Sequence, residues 1–495
     1  MQTRKVITTI FLALFANVSS SSEFTGLDKF VLDAKALTHS VSGTSVVIIE
    51  DGRVVHELHQ GFSDVENETA IDTNSVYYFA STTKSLMAFA VLLAEEQKKL
   101  NQQSSLQELF PNIEFRYIDP AKYTVKELLS HTSGLSNDAM TWTFSYTGEH
   151  TKEQREYFVS TIRVDPQHPK GTFNYSNLGY NVMAIWLDTQ YANGWQAGLS
   201  ELLFEPLDMK NTTANIDSAR NNKWPIVKPY SYKYKDGKSS IYMNKTNNTL
   251  YSVGVFSRPT DIAHFLTSLM PINKAKSPFP TTVITASQKQ IATGLDSYYS
   301  AYGWGWQHAE IAGEDALLHT GGFDGSSVQI SYVPSKNIGV VVVHNESGLI
   351  ANQLNKHINE LAYSTLLRKD SIVEMKSAYS DMGKVAKYVE KAKFDLKIKR
   401  EELEVLTSAK KHKLASVVGT YHNKDVGKLI IKSVEGDIFA FWGDLQSKLY
   451  INSDMNFILE LRPGKFFELE RSIDGENLSI EGWQFDKTEG DRHPW

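Results

Sequence analysis

Two runs of β-branched residues, far apart in the chain, constrain its fold most. The first is Val46-Val47-Ile48-Ile49, and it is followed by the turn Asp51-Gly52 and by Val54-Val55, which predicts a strand pair. The second lies late in the chain, where strands are predicted over Ser327–Val333 and Asn337–Val343. Helical patterns occupy much of the sequence between the two runs. We therefore expect one sheet that is assembled from the first and last parts of this segment, with helices packed against it.

The helical patterns are defined by apolar residues at helical spacing. They predict helices over Ser81 to about Lys99, Leu178–Leu187, Trp195–Leu203, Thr260–Met270 and Leu349–Leu367. Residues 24–368 are predicted to form one domain on this basis.

The composition changes after residue 368. Residues 369–412 are rich in Lys, Glu, Asp and Ala with few large apolar residues, and they are predicted to be helical, charged connectors. Residues 413–495 alternate short apolar runs with turn residues, which is typical of a small antiparallel sheet or barrel. The strands predicted here are Lys428–Val434, Ile438–Trp442, Lys448–Ile451, Asn456–Leu461, Phe466–Glu470 and Leu478–Phe485.

Charge and composition exclude several classes of partner. The formal net charge is -6, so there is no basic excess to neutralise nucleic-acid phosphates. Residues 1–20 carry a basic start, an apolar run and small residues, which predicts a signal peptide and an exported, periplasmic or secreted protein. No other run approaches the roughly 20 apolar residues of a membrane span. The chain has no Cys, which excludes disulfides and a thiol nucleophile.

The chemistry is suggested first by Ser81-Thr82-Thr83-Lys84. A Ser and a Lys three residues apart share one face of a helix, and a lysine of lowered pKa can take the serine proton. Lys84 would have to lose about three pKa units from its usual ~10.4 to act near neutrality. The pattern is not unique, because Ser408-Ala409-Lys410-Lys411 also fits it, although a charged surface explains that second match.

Two later motifs give the first one its context. Tyr175-Ser176-Asn177 and His319-Thr320-Gly321 follow Ser81 and Lys84 in the order found in serine β-lactamases and penicillin-binding proteins, which the chain resembles over about residues 25–368. Within that superfamily it is similar to the class C β-lactamase branch, which includes esterases and D-amino-acid peptidases. The stretches that carry this closer resemblance are Leu128–Leu135, Tyr175–Tyr180, Pro206–Met209 and Tyr302–Gly305.

The resemblance implies a role for each motif residue. Ser81 is expected to be the nucleophile, with Lys84 and Tyr175 exchanging its proton, either of them as the general base. Asn177 is expected to hold Lys84 and a substrate carbonyl. The strand His319-Thr320-Gly321-Gly322 is expected to bind substrate, with the backbone N–H groups of Gly322 and Ser81 forming the oxyanion hole.

Three further residues carry separate expectations. His319 stands where the β-lactamases usually carry Lys, and a mostly neutral imidazole makes the site less suited to an anionic β-lactam. His131 is expected to pack structurally after its helix. Asp324 is either a substrate contact or, more simply, a loop aspartate. No metal site and no cofactor are predicted.

These observations predict an α/β (α+β) fold of the serine β-lactamase type, followed by a small all-β C-terminal domain of lipocalin type. The antiparallel sheet would be flanked by helices, with a helical subdomain inserted. The predicted function is an exported serine hydrolase that acts through an acyl-enzyme on a small-molecule or peptide ester or amide. The alternative is a non-catalytic or slowly turning over binding or sensor protein on the same fold. The oligomeric state stays open.

Overall fold

The centre of the protein is an antiparallel sheet of eight strands. The computed structural model describes residues 22–234, 246–248, 251–273, 275–295, 297–473 and 475–488. In chain order the sheet strands are β1 (Thr44–Glu50), β2 (Arg53–Gln60), β3 (Gln290–Thr293), β4 (Ala301–Gly303), β5 (Gln307–Ile311), β6 (Glu314–Phe323), β7 (Ser326–Val333) and β8 (Ile338–His344). Their spatial order is β3-β4-β5-β6-β7-β8-β1-β2.

The pairing of β1 with β8 joins the two ends of the predicted domain of residues 24–368, as the sequence predicts. Val46 lies opposite Val342 and Ile48 opposite Val340. Both faces of these strands are covered, which explains why they are continuously apolar rather than alternating. Side chains of odd and even positions enter two separate apolar clusters, one on each face of the sheet.

Helices cover the two faces. One face packs against α1 (Thr25–Thr38), and the opposite face against α2 (Thr83–Glu96), with α3 (Leu178–Gln190) behind α2 and α4 (Pro259–Ser268) also on that face. The first face is completed by α5 (Leu349–Leu366) and by α6 (Ile372–Ala409). The predicted connectors of residues 369–412 are therefore dominated by one helix of 38 residues.

The helical part between α2 and α4 is built from short pieces. Apart from α3, the α-helices of this part are Leu106–Leu109, Val125–Leu129, Asp138–Trp142, Lys152–Ser160, Gly194–Leu199 and Ile216–Asn221. A further helix, Thr281–Ser287, follows α4. The helix predicted over Trp195–Leu203 ends earlier, at Leu199, and continues as a π turn through Phe204. A second π turn spans Thr143–Thr147.

The C-terminal segment forms a closed barrel of eight antiparallel strands. The strands are β9 (Gly419–Asn423), β10 (Gly427–Val434), β11 (Asp437–Trp442), β12 (Leu445–Ile451), β13 (Phe457–Arg462), β14 (Lys465–Arg471), β15 (Asn477–Ile480) and β16 (Trp483–Lys487). The single strand predicted over Leu478–Phe485 is wrong. It is a hairpin, because Glu481 and Gly482 both adopt positive φ, at 50° and 81°, and reverse the chain. Strand β9 was not predicted.

The predicted signal peptide lies outside the described residues. Within the ranges that are described, no helix combines the length and the apolar character needed to cross a membrane.

Candidate active site

Ser81 lies on a tight turn at the entrance to α2. Tyr77-Tyr78 pairs with Phe256-Ser257 as a short ladder, and Ala80–Thr82 then forms one 3-10 turn before the helix begins at Thr83. Ala80 has a φ of 44°, a conformation that costs free energy in any residue with a Cβ. The Thr82 hydroxyl donates to the Phe79 carbonyl at 2.6 Å and closes the turn. The predicted helix start at Ser81 is therefore a strained turn, which leaves the Ser81 side chain half-buried.

Lys84 lies one turn further on, fully buried beneath Ser81. Its Nζ donates to Ser81 Oγ at 3.1 Å and to Asn177 Oδ1 at 2.7 Å. Burial disfavours the ammonium form and lowers the pKa of Lys84 to about 7. A substantial fraction of the lysine is therefore a neutral amine at neutral pH, with a lone pair available within hydrogen-bond distance of the serine hydroxyl.

Tyr175 and Asn177 reach the same point from the start of α3. Asn177 occupies the N-cap position of that helix, but its side-chain oxygen is directed to Lys84 rather than to the helix backbone. The Tyr175 hydroxyl interacts with Ser81, and Lys84 Nζ lies 5.0 Å from the centroid of the Tyr175 ring. Burial raises the pKa of Tyr175 and the hydrogen bond with Ser81 opposes that rise. Because Tyr175 keeps 39% of its surface exposed, water offsets part of the rise, and the hydroxyl stays protonated at neutral pH.

The end of β6 passes beside this group with one side unpaired in the sheet. β5 pairs with β6 only as far as Leu318, whereas β7 continues to pair with it up to Phe323. Gly321 contacts the turn that carries Ser81 so closely that a Cβ there would lie 2.7 Å from the Phe79 carbonyl oxygen. A Cβ on Gly322 would meet no atom within 4 Å. The close approach of the two backbones explains why residue 321 is a glycine, and open space lies beside Gly322.

His319 is fully buried and does not line this open space. Its Nε2 is 3.1 Å from the Tyr302 hydroxyl, and its Nδ1 is 2.7 Å from the Thr320 carbonyl oxygen, which must accept. That pattern assigns the proton to Nδ1 and makes Tyr302 the donor to Nε2. Burial and the neighbouring Lys84 lower the pKa of His319 to about 3, so the ring is neutral. Thr320, the next residue, is exposed.

His131 packs behind Tyr175, in line with its expected structural role. The two ring centroids are 4.5 Å apart, and the Tyr302 ring is 4.7 Å from His131 on another side. The His131 Nδ1 accepts from the Ser176 backbone N–H at 3.2 Å, which anchors the Tyr175 loop. Burial lowers the pKa of His131 well below its usual range. The imidazole is thus a neutral support for Tyr175.

Sequence reasoning missed the aromatic residues that enclose the site. Tyr302 bonds His319, and its hydroxyl is 3.4 Å from that of Tyr180, which donates to the Leu129 carbonyl at 3.0 Å. Both tyrosines belong to the stretches that carry the class C resemblance, so the signal was present but no role was assigned to it.

Asp324 has a partner that the sequence did not indicate. Its carboxylate accepts two hydrogen bonds from Arg462, from Nε at 2.6 Å and from Nη2 at 3.1 Å. Arg462 is the last residue of β13, so the contact is made by the barrel. Asp324 is therefore not a free loop aspartate.

Comparison with known proteins finds similar sequences and similar solved structures. Protein flp of Staphylococcus aureus (strain MW2) is 24% identical over 335 residues, which make up 64% of this chain and 62% of that protein, so the match spans less than two thirds of the relative. Among solved structures, the octameric penicillin-binding protein homologue from Pyrococcus abyssi is similar with a TM-score of 0.58 and 21% identity, over 93% of this chain and 99% of that one.

A second solved structure is similar to a smaller share of the chain. The D-amino acid amidase from Ochrobactrum anthropi SV3, complexed with D-phenylalanine, gives a TM-score of 0.57 at 19% identity, over 70% of this chain and 98% of that one. The sequence model of the Beta-lactamase family matches residues 26–363, which is more than half of the chain. The chain therefore belongs to the beta-lactamase family.

Proposed function

We propose that this protein is a serine hydrolase that forms an acyl-enzyme on Ser81. The observation that carries the proposal is the buried Lys84 amine, whose pKa is lowered to about 7 and whose Nζ lies 3.1 Å from Ser81 Oγ. Asn177 orients the same amine through its 2.7 Å contact. A serine hydroxyl beside an amine that can accept its proton is an activated nucleophile.

The proposed acylation step uses each of the neighbouring groups once. Ser81 Oγ forms a bond to the substrate carbonyl carbon while its proton passes to Lys84 Nζ. The carbonyl oxygen becomes an oxyanion that accepts from the backbone N–H groups of Ser81 and Gly322. When the tetrahedral intermediate collapses, the leaving group takes a proton from the Tyr175 hydroxyl, and Lys84 returns its proton to Tyr175.

Deacylation reverses these proton movements. Water adds to the carbonyl carbon of the Ser81 ester and gives a proton to Tyr175, which passes its own proton to Lys84. Lys84 then gives that proton to Ser81 Oγ as the bond between Oγ and the acyl carbon breaks, so that the acid product leaves and both groups return to their starting state. We assign Lys84 as the base and Tyr175 as the acid, because the pKa of Lys84 is lowered towards neutrality whereas that of Tyr175 is raised.

The substrate class that we propose is a neutral ester, amide or D-amino-acid peptide. His319 supports this choice, because its buried neutral ring offers no charge to a substrate carboxylate. The solved amidase, which was complexed with D-phenylalanine, has the same fold and adds D-amino-acid amides to the substrates that should be tested. The predicted signal peptide leads us to propose further that the protein is exported.

The proposal is tested by parallel kinetics on a p-nitrophenyl ester, a D-amino-acid amide and nitrocefin. We expect turnover of the ester or the amide to exceed that of nitrocefin, and Ser81→Ala to abolish it. Ser408→Ala is the matched control, because Ser408 is an exposed residue of α6 with the same spacing to Lys411. Equal loss in both variants, or full activity in Ser81→Ala, would reject Ser81 as the nucleophile. A dominant nitrocefin rate would overturn the substrate class.

A single fast burst of product release without further turnover would instead identify the alternative, a binding or sensor protein. In that case intact mass spectrometry would show the acyl group retained on the protein.

A further inference from the structure

Arg462 of the barrel contacts the turn that follows Gly322. Arg462 ends β13 and binds Asp324 with two parallel hydrogen bonds of 2.6 and 3.1 Å. Asp324 follows Gly322 by two residues and lies in the turn that joins β6 to β7. Only 24% of the Arg462 side chain and 15% of the Asp324 side chain are exposed. A partly buried, two-point pair of this kind fixes orientation as well as distance.

Aromatic rings extend this contact towards the nucleophile. The Arg462 guanidinium lies 4.6 Å from the centroid of the Tyr146 ring, and Tyr146 stacks on Phe323 at 5.5 Å and 19°. Phe323 in turn meets the edge of Tyr78 at 5.8 Å. Tyr78 lies three residues before Ser81, so the contacts form a continuous path from the barrel to the nucleophile turn.

The same turn is fastened at its far end. The Ser326 hydroxyl donates to the Tyr78 carbonyl at 2.6 Å, and the Gly325 N–H donates to Ser347 Oγ at 2.9 Å. The barrel holds this turn at Asp324. Loss of Arg462 would leave the stretch between Gly322 and Gly325 without this restraint and would leave the Asp324 carboxylate largely buried without its counter-charge.

The barrel also binds the element that carries Tyr146. That residue lies in the π turn Thr143–Thr147, whose Thr147 carbonyl accepts from the Asp444 N–H at 2.9 Å. Trp142 packs against Trp442 of the barrel at 5.2 Å. Arg462 thus lies between the Asp324 carboxylate and the Tyr146 ring, and the barrel also contacts the π turn that carries Tyr146 through Asp444 and Trp442. These separate contacts fix the position of Arg462.

We propose that Arg462 is a positioning residue for the oxyanion hole: the barrel holds the turn 323–326 through the Arg462–Asp324 pair and thereby sets the place of the Gly322 amide. The inference rests on the proposed function for its effect on rate, but not for its effect on the turn. Arg462 acts through Asp324 and does not touch the reacting atoms. A displaced oxyanion donor costs rate at the chemical step, since the donor must meet a position that the oxygen occupies only in the transition state.

The experiment compares the full-length protein with Arg462→Ala, Arg462→Lys and Asp324→Asn. Kinetics on the best ester or amide should show kcat reduced about 10- to 100-fold in Arg462→Ala, with KM changed less than about threefold. Arg462→Lys should recover little, because an ammonium cannot form the two parallel bonds. Asp324→Asn keeps the side-chain shape and should lower kcat in the same direction. The double variant Arg462→Ala/Asp324→Asn should be no slower than Arg462→Ala alone, because both substitutions remove the same Arg462–Asp324 contact.

Hydrogen–deuterium exchange gives a readout that does not depend on activity. Peptides covering residues 319–326 should exchange faster in Arg462→Ala and in Asp324→Asn, while peptides from the barrel core stay unchanged. The matched control is Tyr157→Phe, which removes another contact between the helical part and the barrel, the 2.8 Å hydrogen bond to Asp425. It should change neither exchange at 319–326 nor kcat.

Each outcome decides the proposal. Unchanged exchange at 319–326 in both Arg462→Ala and Asp324→Asn would overturn it, whatever the rates are. Faster exchange with unchanged kcat would show a clamp without a catalytic role and would also overturn it. If the wild type neither turns over substrate nor labels Ser81, the proposed function fails, and the exchange comparison still decides whether the barrel holds the turn.

Discussion

Replacing Lys84 by Met should stabilise the fold while abolishing catalysis, because the protein keeps a buried amine at a cost. Moving the pKa of Lys84 from 10.5 to about 7 corresponds to a penalty on the order of 4 kcal/mol at pH 7. Loss of the contacts to Ser81 Oγ and Asn177 Oδ1 removes about 1 kcal/mol each. The expected net effect is stabilisation of about 2 kcal/mol at pH 7.

The pH dependence of this difference is the sharper part of the prediction. The folded pKa is lowered, so between about pH 7 and 10 the unfolded chain binds one more proton at Lys84 than the folded chain does. The unfolding free energy of the wild type should therefore rise relative to Lys84→Met by about 1.4 kcal/mol per pH unit in this window. Below pH 7 the difference should level off.

Urea denaturation of both proteins at several pH values measures this difference. The control is Lys411→Met, which removes an exposed lysine of the other Ser-x-x-Lys match and is measured over the same pH range. A wild-type to Lys84→Met difference that stays constant from pH 7 to pH 10 would refute the lowered pKa, and with it the assignment of Lys84 as the base.

Three further predictions follow from the site. The value of kcat/KM should rise with pH through about 7 as Lys84 loses its proton, and a pH–rate profile that is flat from pH 5.5 to 8.5 would contradict this. Gly321→Ala should lower the melting temperature and reduce activity more than tenfold, because its Cβ would lie 2.7 Å from the Phe79 carbonyl oxygen, whereas Gly322→Ala should leave the melting temperature unchanged, since a Cβ there meets no atom within 4 Å. Calorimetry and kinetics on the pair check this, and equal melting temperatures would show that Gly321 is not sterically required. His319→Lys should lower the melting temperature, because it places a second amine in a fully buried position beside Lys84, where burial disfavours the ammonium form, and an unchanged melting temperature would contradict this.

Local patterns were sufficient to predict four neighbouring strands of the sheet, β7, β8, β1 and β2, and the contact between Ser81 and Lys84. The runs at Val46–Ile49 and Val340–Val343 are apolar because both faces of the sheet are buried, and that property is visible in the sequence alone. Ser81 and Lys84 are three residues apart, so their contact follows from helical geometry. The meeting of Asn177 with Lys84 was predicted from the family resemblance, since the spacing between them carries no such information.

What could not be predicted depends on contacts between distant segments. The Arg462–Asp324 pair joins residues that are separated by 138 positions, and either residue alone looks like an ordinary surface charge. Tyr302 gives no sign in the sequence that it bonds His319. The charged pattern of residues 372–409 predicts helix but does not predict its length, because the apolar residues that anchor α6 are few and widely spaced. The hairpin at Glu481-Gly482 was missed because one apolar run continues across it.

The position of the covalent bond tests the central claim most directly. The protein would be treated with a fluorophosphonate or an activated ester, and the modified peptide would be identified by mass spectrometry. The account predicts a single adduct on Ser81, absent in Ser81→Ala and strongly reduced in Lys84→Met. An adduct on any other residue, or undiminished labelling of the Ser81→Ala protein, would contradict it.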